Sequence, residues 1–221
     1  KMIAENRLGR KSGAGFVRLS ADRKTRAEAE AGARGLHIVP PFDHPWIIAG
    51  QGTVGLEILR DCPEVAHVFV PVGGGGLISG IAAAVKRRRP DVRVVGVEPE
   101  GAATMRASLA AGHPVVLDRV ASIADGLVPL RPGDLTFDHA QRFVDEIVTV
   151  SDDAIAGAHA VFDVVALPSE TPLVAAARAA GVEVITGAEV IALQAAEQFE
   201  RYTGVRPTPE QIAEASRVSR A

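Results

Sequence analysis

Residues 65–97 constrain this chain more than any other stretch. A β-prone apolar run over 65–72 leads into Gly73, Gly74, Gly75 and Gly76. An alanine-rich helix is predicted over 77–88 and a second apolar strand over 92–97. A helix linking two strands of one sheet predicts a parallel pair with a right-handed crossover. The glycines then lie at the carboxyl end of the first strand, where open parallel sheets bind ligands. The fold class expected is α/β: an open, mostly parallel sheet with helices on both faces.

The rest of the sequence continues this grammar. Hydrophobic residues make up 47% of the chain and aromatics only 4%, the palette of parallel strands covered by small-residue helices. Residues 1–20, with Gly9, Gly13 and Gly15 among basic residues, read as an arm. Ser20 or Asp22 caps a helix closed by Gly32, and a short strand over 36–39 stops at Pro40 and Pro41. Pro45 opens a helix to about residue 60, with Ile47, Ile48, Val54, Leu56, Ile58 and Leu59 as its apolar contacts and Trp46 packed in the core. Next come a helix over 102–111, a loop at 123–126, a helix over 137–144 and a strand over 146–150. Ser151 caps the following turn, with Asp152 and Asp153 as acidic partners of the helix dipole. Past residue 160 the alternation repeats: strand 161–167, helix 171–180, strand 182–185, helix 189–202, and a tail helix beyond Pro207 and Pro209. The domain reading is an arm (1–20), an α/β domain (21–160), a β-α-β-α segment (161–208) and a tail helix (209–221).

Charge and cysteine content narrow the partners. A net charge of −3 and a pI near 6.1 provide no basic field for nucleic acid or acidic lipid. The one basic run, Lys86, Arg87, Arg88 and Arg89, falls where a helix ends and its dipole favours cations. With Cys62 as the single cysteine, no disulfide framework forms within the chain, which suits a reducing cytoplasm. Neither a membrane span nor the apolar core of a signal peptide is visible. The expectation is a cytoplasmic protein acting on a small molecule, without membrane or nucleic acid; the residues leave a homo-oligomer open.

Four consecutive glycines between a strand and a helix let backbone N–H groups converge where the helix dipole adds positive charge, so an anion is expected there. Periodicity does not choose the anion. The run Gly74-Gly75-Gly76-Leu77-Ile78-Ser79 also approximates a dinucleotide fingerprint, and Glu98 ends the next strand, where a ribose-binding acid belongs. His37 and His44 lack the neighbouring ligands of a metal site. Asp43 reads as a turn cap, with proton transfer beside His44 as the other role.

Six segments follow one another in the order seen in threonine dehydratases and serine racemases. They are Pro40-Pro41-Phe42-Asp43-His44-Pro45, Ile48-Ala49-Gly50-Gln51-Gly52-Thr53, the stretch 71–80, Gly96-Val97-Glu98-Pro99, Ile123-Ala124-Asp125-Gly126 and Val144-Asp145-Glu146. Over about 36–158 the chain resembles that pyridoxal-phosphate-dependent family. The resemblance implies that Gly73, Gly74, Gly75, Gly76 and Leu77 hold the cofactor phosphate, that Gly126 lies near its ring, and that the substrate is an amino acid. Glu98 matches a glutamate that helps hold a divalent cation in metal-dependent relatives, but Thr104 stands where they have aspartate, so no metal is expected. The family's Ser-x-Lys-x-Arg-Gly-Ala and Ser-Gly-Asn-His segments are not found. Only Lys24, in Lys24-Thr25-Arg26-Ala27, echoes the Schiff-base lysine. The expectation is a threonine ammonia-lyase-like protein that binds pyridoxal phosphate without competent turnover.

The C-terminal segment, about 160–208, resembles the end of shikimate dehydrogenases in Glu170-Thr171-Pro172-Leu173 and Gln194-Ala195-Ala196-Glu197-Gln198-Phe199. That resemblance implies a substrate contact at Gln194 and a nicotinamide neighbour at Gly187. Residues 5–16 resemble the tail of 3-hydroxyacyl-CoA dehydrogenases. The alternatives to the first reading are thus an NAD(P)-dependent oxidoreductase and a non-catalytic composite scaffold, designed or recombined.

Overall fold

The computed structural model describes residues 32–35, 40–165 and 170–218. The helix predicted from residue 20, the strand at 36–39 and Lys24 lie outside them. Two compact units divide the chain, Lys1–Pro41 and Phe42–Ala221. In the first, the turn at 32–35 is closed by Gly35 N–H donating to the Gly32 carbonyl at 3.2 Å.

In the second unit, helix α1 (Pro45–Asp61) starts with proline in its first turn, where a missing N–H costs nothing, and the His44 side chain caps it through Trp46 N–H. Strand β1 (His67–Pro71), helix α2 (Gly76–Arg88) and strand β2 (Arg93–Pro99) form the predicted βαβ unit. Helices α3 (Thr104–Ala111) and α4 (Asp134–Phe143) precede strand β3 (Glu146–Val150). Helix α5 (Asp152–Ala156) leads to strand β4 (Ala160–Asp163), helix α6 (Pro172–Ala179), strand β5 (Glu183–Thr186), helix α7 (Gly187–Thr203) and helix α8 (Pro209–Val218).

Among the described residues all strand pairs are parallel, as predicted, but they form two sheets. One has the order β1-β2-β3, pairing Val68 with Val94 and Val95 with Glu146; the other pairs β4 with β5, Phe162 opposite Ile185. Only residues 151–159 connect β3 to β4, fewer than the dozen or so that a parallel crossover takes. The main core lies on one face of the larger sheet, where Val68, Val70, Val72 and Val94 meet Ile78, Ile81 and Val85 of α2, Met105 of α3 and Phe137 of α4. Each of these side chains contributes about 1.5–3 kcal/mol by leaving water. Along β1 the alternate residues His67, Phe69 and Pro71 point away from that core, and Phe69 is 65% exposed.

Several local expectations change. Trp46 is not in the core but 83% exposed, its ring edge-on to His44. The buried stripe of α1 runs through Ile48, Gly52 and Gly55, and a residue two positions before Ile48 lies on the opposite side. Val54 is exposed for the same reason, and Leu56, at the edge of the stripe, is 36% exposed. The helix predicted from 102 begins at Thr104, after a 3-10 turn at Glu100–Ala102. The strand predicted to run to 167 stops at Asp163, whose buried carboxylate turns the chain by accepting Val165 N–H and the Thr171 hydroxyl. Three of the four residues of the basic run have partners within the chain. Lys86 pairs with Asp145 at 2.7 Å, Arg87 lies over the Phe143 ring and Arg89 pairs with Asp91. Partial burial pushes the Asp145 carboxyl up, but Lys86 and Val94 N–H outweigh it and hold the group below the usual carboxylate range.

Candidate functional site

The glycine turn joins β1 to α2 at the carboxyl edge of the sheet. Gly75 sits at the N-cap with φ 93, a left-handed conformation that side chains avoid, and an added Cβ would lie 2.7 Å from Met105 Cε and 2.8 Å from Thr136 Cβ. Gly74 and Gly76 pack directly beneath Phe42. The N–H groups of Gly74, Gly75, Gly76 and Leu77 take no acceptor among the described residues, because the first helical bond of α2 is Ser79 N–H to the Gly75 carbonyl. These donors lie at and just before a helix start, where an anion is favoured; Gly75 and Gly76 are buried, and Phe42 covers Gly74 and Gly76.

A second loop reaches this turn. An added Cβ on Gly73 would come 3.3 Å from Leu127 Cα and 3.4 Å from the Gly126 carbonyl, so the 3-10 turn Asp125–Leu127 abuts Gly73. Gly126, assigned to the cofactor ring by resemblance, is therefore beside the residues assigned to the phosphate. Asp152 anchors this loop: its carboxylate accepts the Ser122 hydroxyl at 2.6 Å and Ile123 N–H at 3.2 Å. Local pattern assigns Asp152 a dipole role alone and misses this one, because the partners are about thirty positions away.

Asp43 caps a helix, though not its own turn. Its carboxylate accepts N–H bonds from Asp134 at 3.0 Å, Leu135 at 2.9 Å and Thr136 at 3.3 Å, the first turn of α4. The N-cap of α4 is Gly133, which has no side chain to cap with; an added Cβ there would collide with the Asp43 carboxylate. That glycine was the only signal in the sequence that a cap had to come from elsewhere. With its carboxylate committed, Asp43 is not poised for proton transfer. Asp43→Ala should lower stability by about 2 kcal/mol, in the range of a lost helix cap. Asp43→Asn should recover most of that loss, and equal denaturation midpoints for wild type and Asp43→Ala would refute the role.

The remaining candidates are placed elsewhere. Glu98 is fully buried and its carboxylate accepts Met105 N–H at 2.7 Å and Arg106 N–H at 2.9 Å, capping α3. It cannot face a ribose, so the dinucleotide reading loses its acidic residue. Thr104 places its hydroxyl 3.5 Å from Glu98, and no cluster of three or more metal-ligating side chains occurs among the described residues. Burial raises the Glu98 pKa above the usual carboxylate value, opposed by the N–H bonds from Arg106 and Met105. Gly187 starts α7 against the backbone of Val164 and Val165, while Gln194 is exposed further along that helix. Lys86 is held by Asp145 near the end of α2, ten residues or about 15 Å of helix from the glycine turn. No helix among the described residues is long and apolar enough to cross a membrane.

Comparison with known proteins extends this picture. A family model described as pyridoxal-phosphate dependent enzyme matches residues 5–183, which takes in the first part of the segment that resembled shikimate dehydrogenases. The biosynthetic L-threonine dehydratase of Salmonella typhimurium is 47% identical over 137 residues, covering 62% of this chain and 27% of that protein. The L-threonine ammonia-lyase of Thermotoga maritima is 47% identical over 133 residues, 60% of this chain and 32% of its own length. Among solved structures, a threonine deaminase from T.th. aligns with TM-score 0.60 at 40% identity, covering 67% of this chain and 50% of its own. Maize serine racemase aligns with TM-score 0.60 at 37% identity, covering 64% and 43%. The chain thus spans about a third or less of these curated relatives and no more than half of these structures.

Proposed function

The chain belongs to the pyridoxal-phosphate dependent enzyme family, and from that membership we propose that Gly73, Gly74, Gly75, Gly76 and Leu77 cradle the phosphate of pyridoxal phosphate, with Gly126 beside its ring. The observation that carries this reading is the set of uncommitted N–H groups at the amino end of α2, where the helix dipole favours an anion. The residues fit the group: positions 73–76 carry no side chains of their own, Phe42 packs over Gly74 and Gly76, and the ring-side loop abuts Gly73. When bound, pyridoxal phosphate supplies an electron sink for chemistry at the α-carbon of an amino acid. The chain's own part is to hold the phosphate through main-chain donors and to keep residues 122–126 in place through Asp152. The substrate class proposed is a hydroxyl-bearing amino acid of the threonine or serine type, with ammonia-lyase chemistry as in the relatives.

Turnover requires a lysine amine at the cofactor. Lys86 is bound to Asp145 at a distance from the turn, and Lys24 only echoes the family motif. The chain on its own is therefore expected to bind the cofactor without releasing ammonia from threonine. Thermal-shift titration tests the reading, since a ligand that binds only the folded state raises the melting point. Pyridoxal phosphate and inorganic phosphate should raise it, and NAD and NADP should not. Gly75→Ala, which puts a methyl group against Thr136 and Met105, should abolish the ligand-induced rise. A melting point unmoved by either phosphate compound would remove the reading, and ammonia release lost in Lys24→Ala would overturn its catalytic half.

A further inference from the structure

The glycine turn is hydrogen-bonded from behind by a buried hydroxyl. The Gly74 carbonyl accepts the Thr136 hydroxyl at 2.7 Å and Gly133 N–H at 3.3 Å, which uses both of its lone pairs. In a planar trans peptide the carbonyl and the following N–H point in opposite directions. Fixing the Gly74 carbonyl toward α4 therefore aims Gly75 N–H away from α4. Thr136 is fully buried, and its backbone is tied twice: Asp43 accepts its N–H, and the Ser79 hydroxyl of α2 donates to its carbonyl at 3.3 Å. The same side chain occupies the space where a Gly75 Cβ would fall.

From this geometry we infer that Thr136 is the positioning residue of the anion cradle: its hydroxyl sets the Gly74–Gly75 peptide plane so that Gly75 N–H is presented to a phosphoryl oxygen. The inference rests on the phosphate-binding role proposed above for the turn. It makes Thr136, together with Asp43, which fixes the start of α4, the rear support of a turn whose donors are all main chain. Nothing in the local sequence of Thr136 announces this, because its partner is 62 positions away.

The experiment uses the full chain labelled with nitrogen-15 and titrated with inorganic phosphate. In the wild type, phosphate should move the Gly75 amide resonance among the most of all glycines. Thr136→Val keeps the shape and deletes the donor. It should weaken phosphate binding about tenfold, as loss of one pre-set donor warrants, and shift the Gly75 nitrogen resonance before any phosphate is added. Thr136→Ser keeps the donor and should retain wild-type affinity and the wild-type Gly75 resonance, which distinguishes positioning from mere packing. A wild type that binds phosphate without moving the Gly75 amide overturns the inference, and so does a Thr136→Val chain that binds phosphate as well as the wild type. The first of these needs no variant to fold. A wild type that binds no phosphate removes the underlying reading, a separate and distinguishable result.

Discussion

Gly80→Ala should destabilise the protein by about 3 kcal/mol, at the upper end of what overpacking costs, and lower the melting temperature by roughly 6–12 °C for a chain of this size. Helices α1 and α2 touch through their backbones. A Cβ on Gly80 would stand 2.5 Å from Gly52 N and 2.7 Å from Gln51 C, and one on Gly55 would lie 2.9 Å from the Ile81 carbonyl. Main chain cannot rotate aside as a flexible side chain can, so relief requires the helices to separate, loosening the packing of Ile48, Ile58 and Leu59. Gly50 is the internal control. It lies in the same helix α1 with nothing near its absent Cβ, so Gly50→Ala should stabilise by about 0.5–1 kcal/mol through helix propensity. Chemical denaturation of both variants checks the pair, and a Gly80→Ala midpoint equal to the wild type would show that the two helices do not meet as described.

Glu98→Ala should cost about 3–5 kcal/mol, since it strips the acceptor from Met105 N–H and Arg106 N–H and leaves a void in the core. Glu98→Gln should cost much less, because its amide oxygen can still accept. The pH dependence distinguishes the two protonation states. With the folded-state pKa raised by burial, the folded protein binds this proton more tightly than the unfolded chain. Stability from Glu98 is then greatest at low pH and declines as pH rises from the ordinary carboxylate value to the raised one. The stability difference between wild type and Glu98→Gln should decline across that window; a flat or rising difference would mean that the buried carboxylate stays ionised throughout.

The local pattern predicted most element identities. Helix α1 opens at Pro45 as expected, β3 occupies 146–150 as expected, and Thr171 and Pro172 start α6. These features are encoded locally, by periodicity, by proline and by capping hydroxyls. The strand ending at Asp163 is shortened by partners two and eight positions on, but for Trp46 and Glu98 the deciding packing is not written in the neighbouring residues. Trp46 is outside because α2 packs on the glycine side of α1, and the dinucleotide role of Glu98 is excluded because its carboxylate is consumed by the start of α3.

Consecutive residues were enough to specify the parallel βαβ unit, the run of four glycines at the strand's carboxyl end and the family those residues resemble, because each is written in neighbouring positions. What stands behind the glycine run became visible only once the chain was folded. Thr136, Asp43 and Asp152 act across 29 to 93 positions of chain, and hydrogen bonds over such separations leave no periodic trace in the residues that make them.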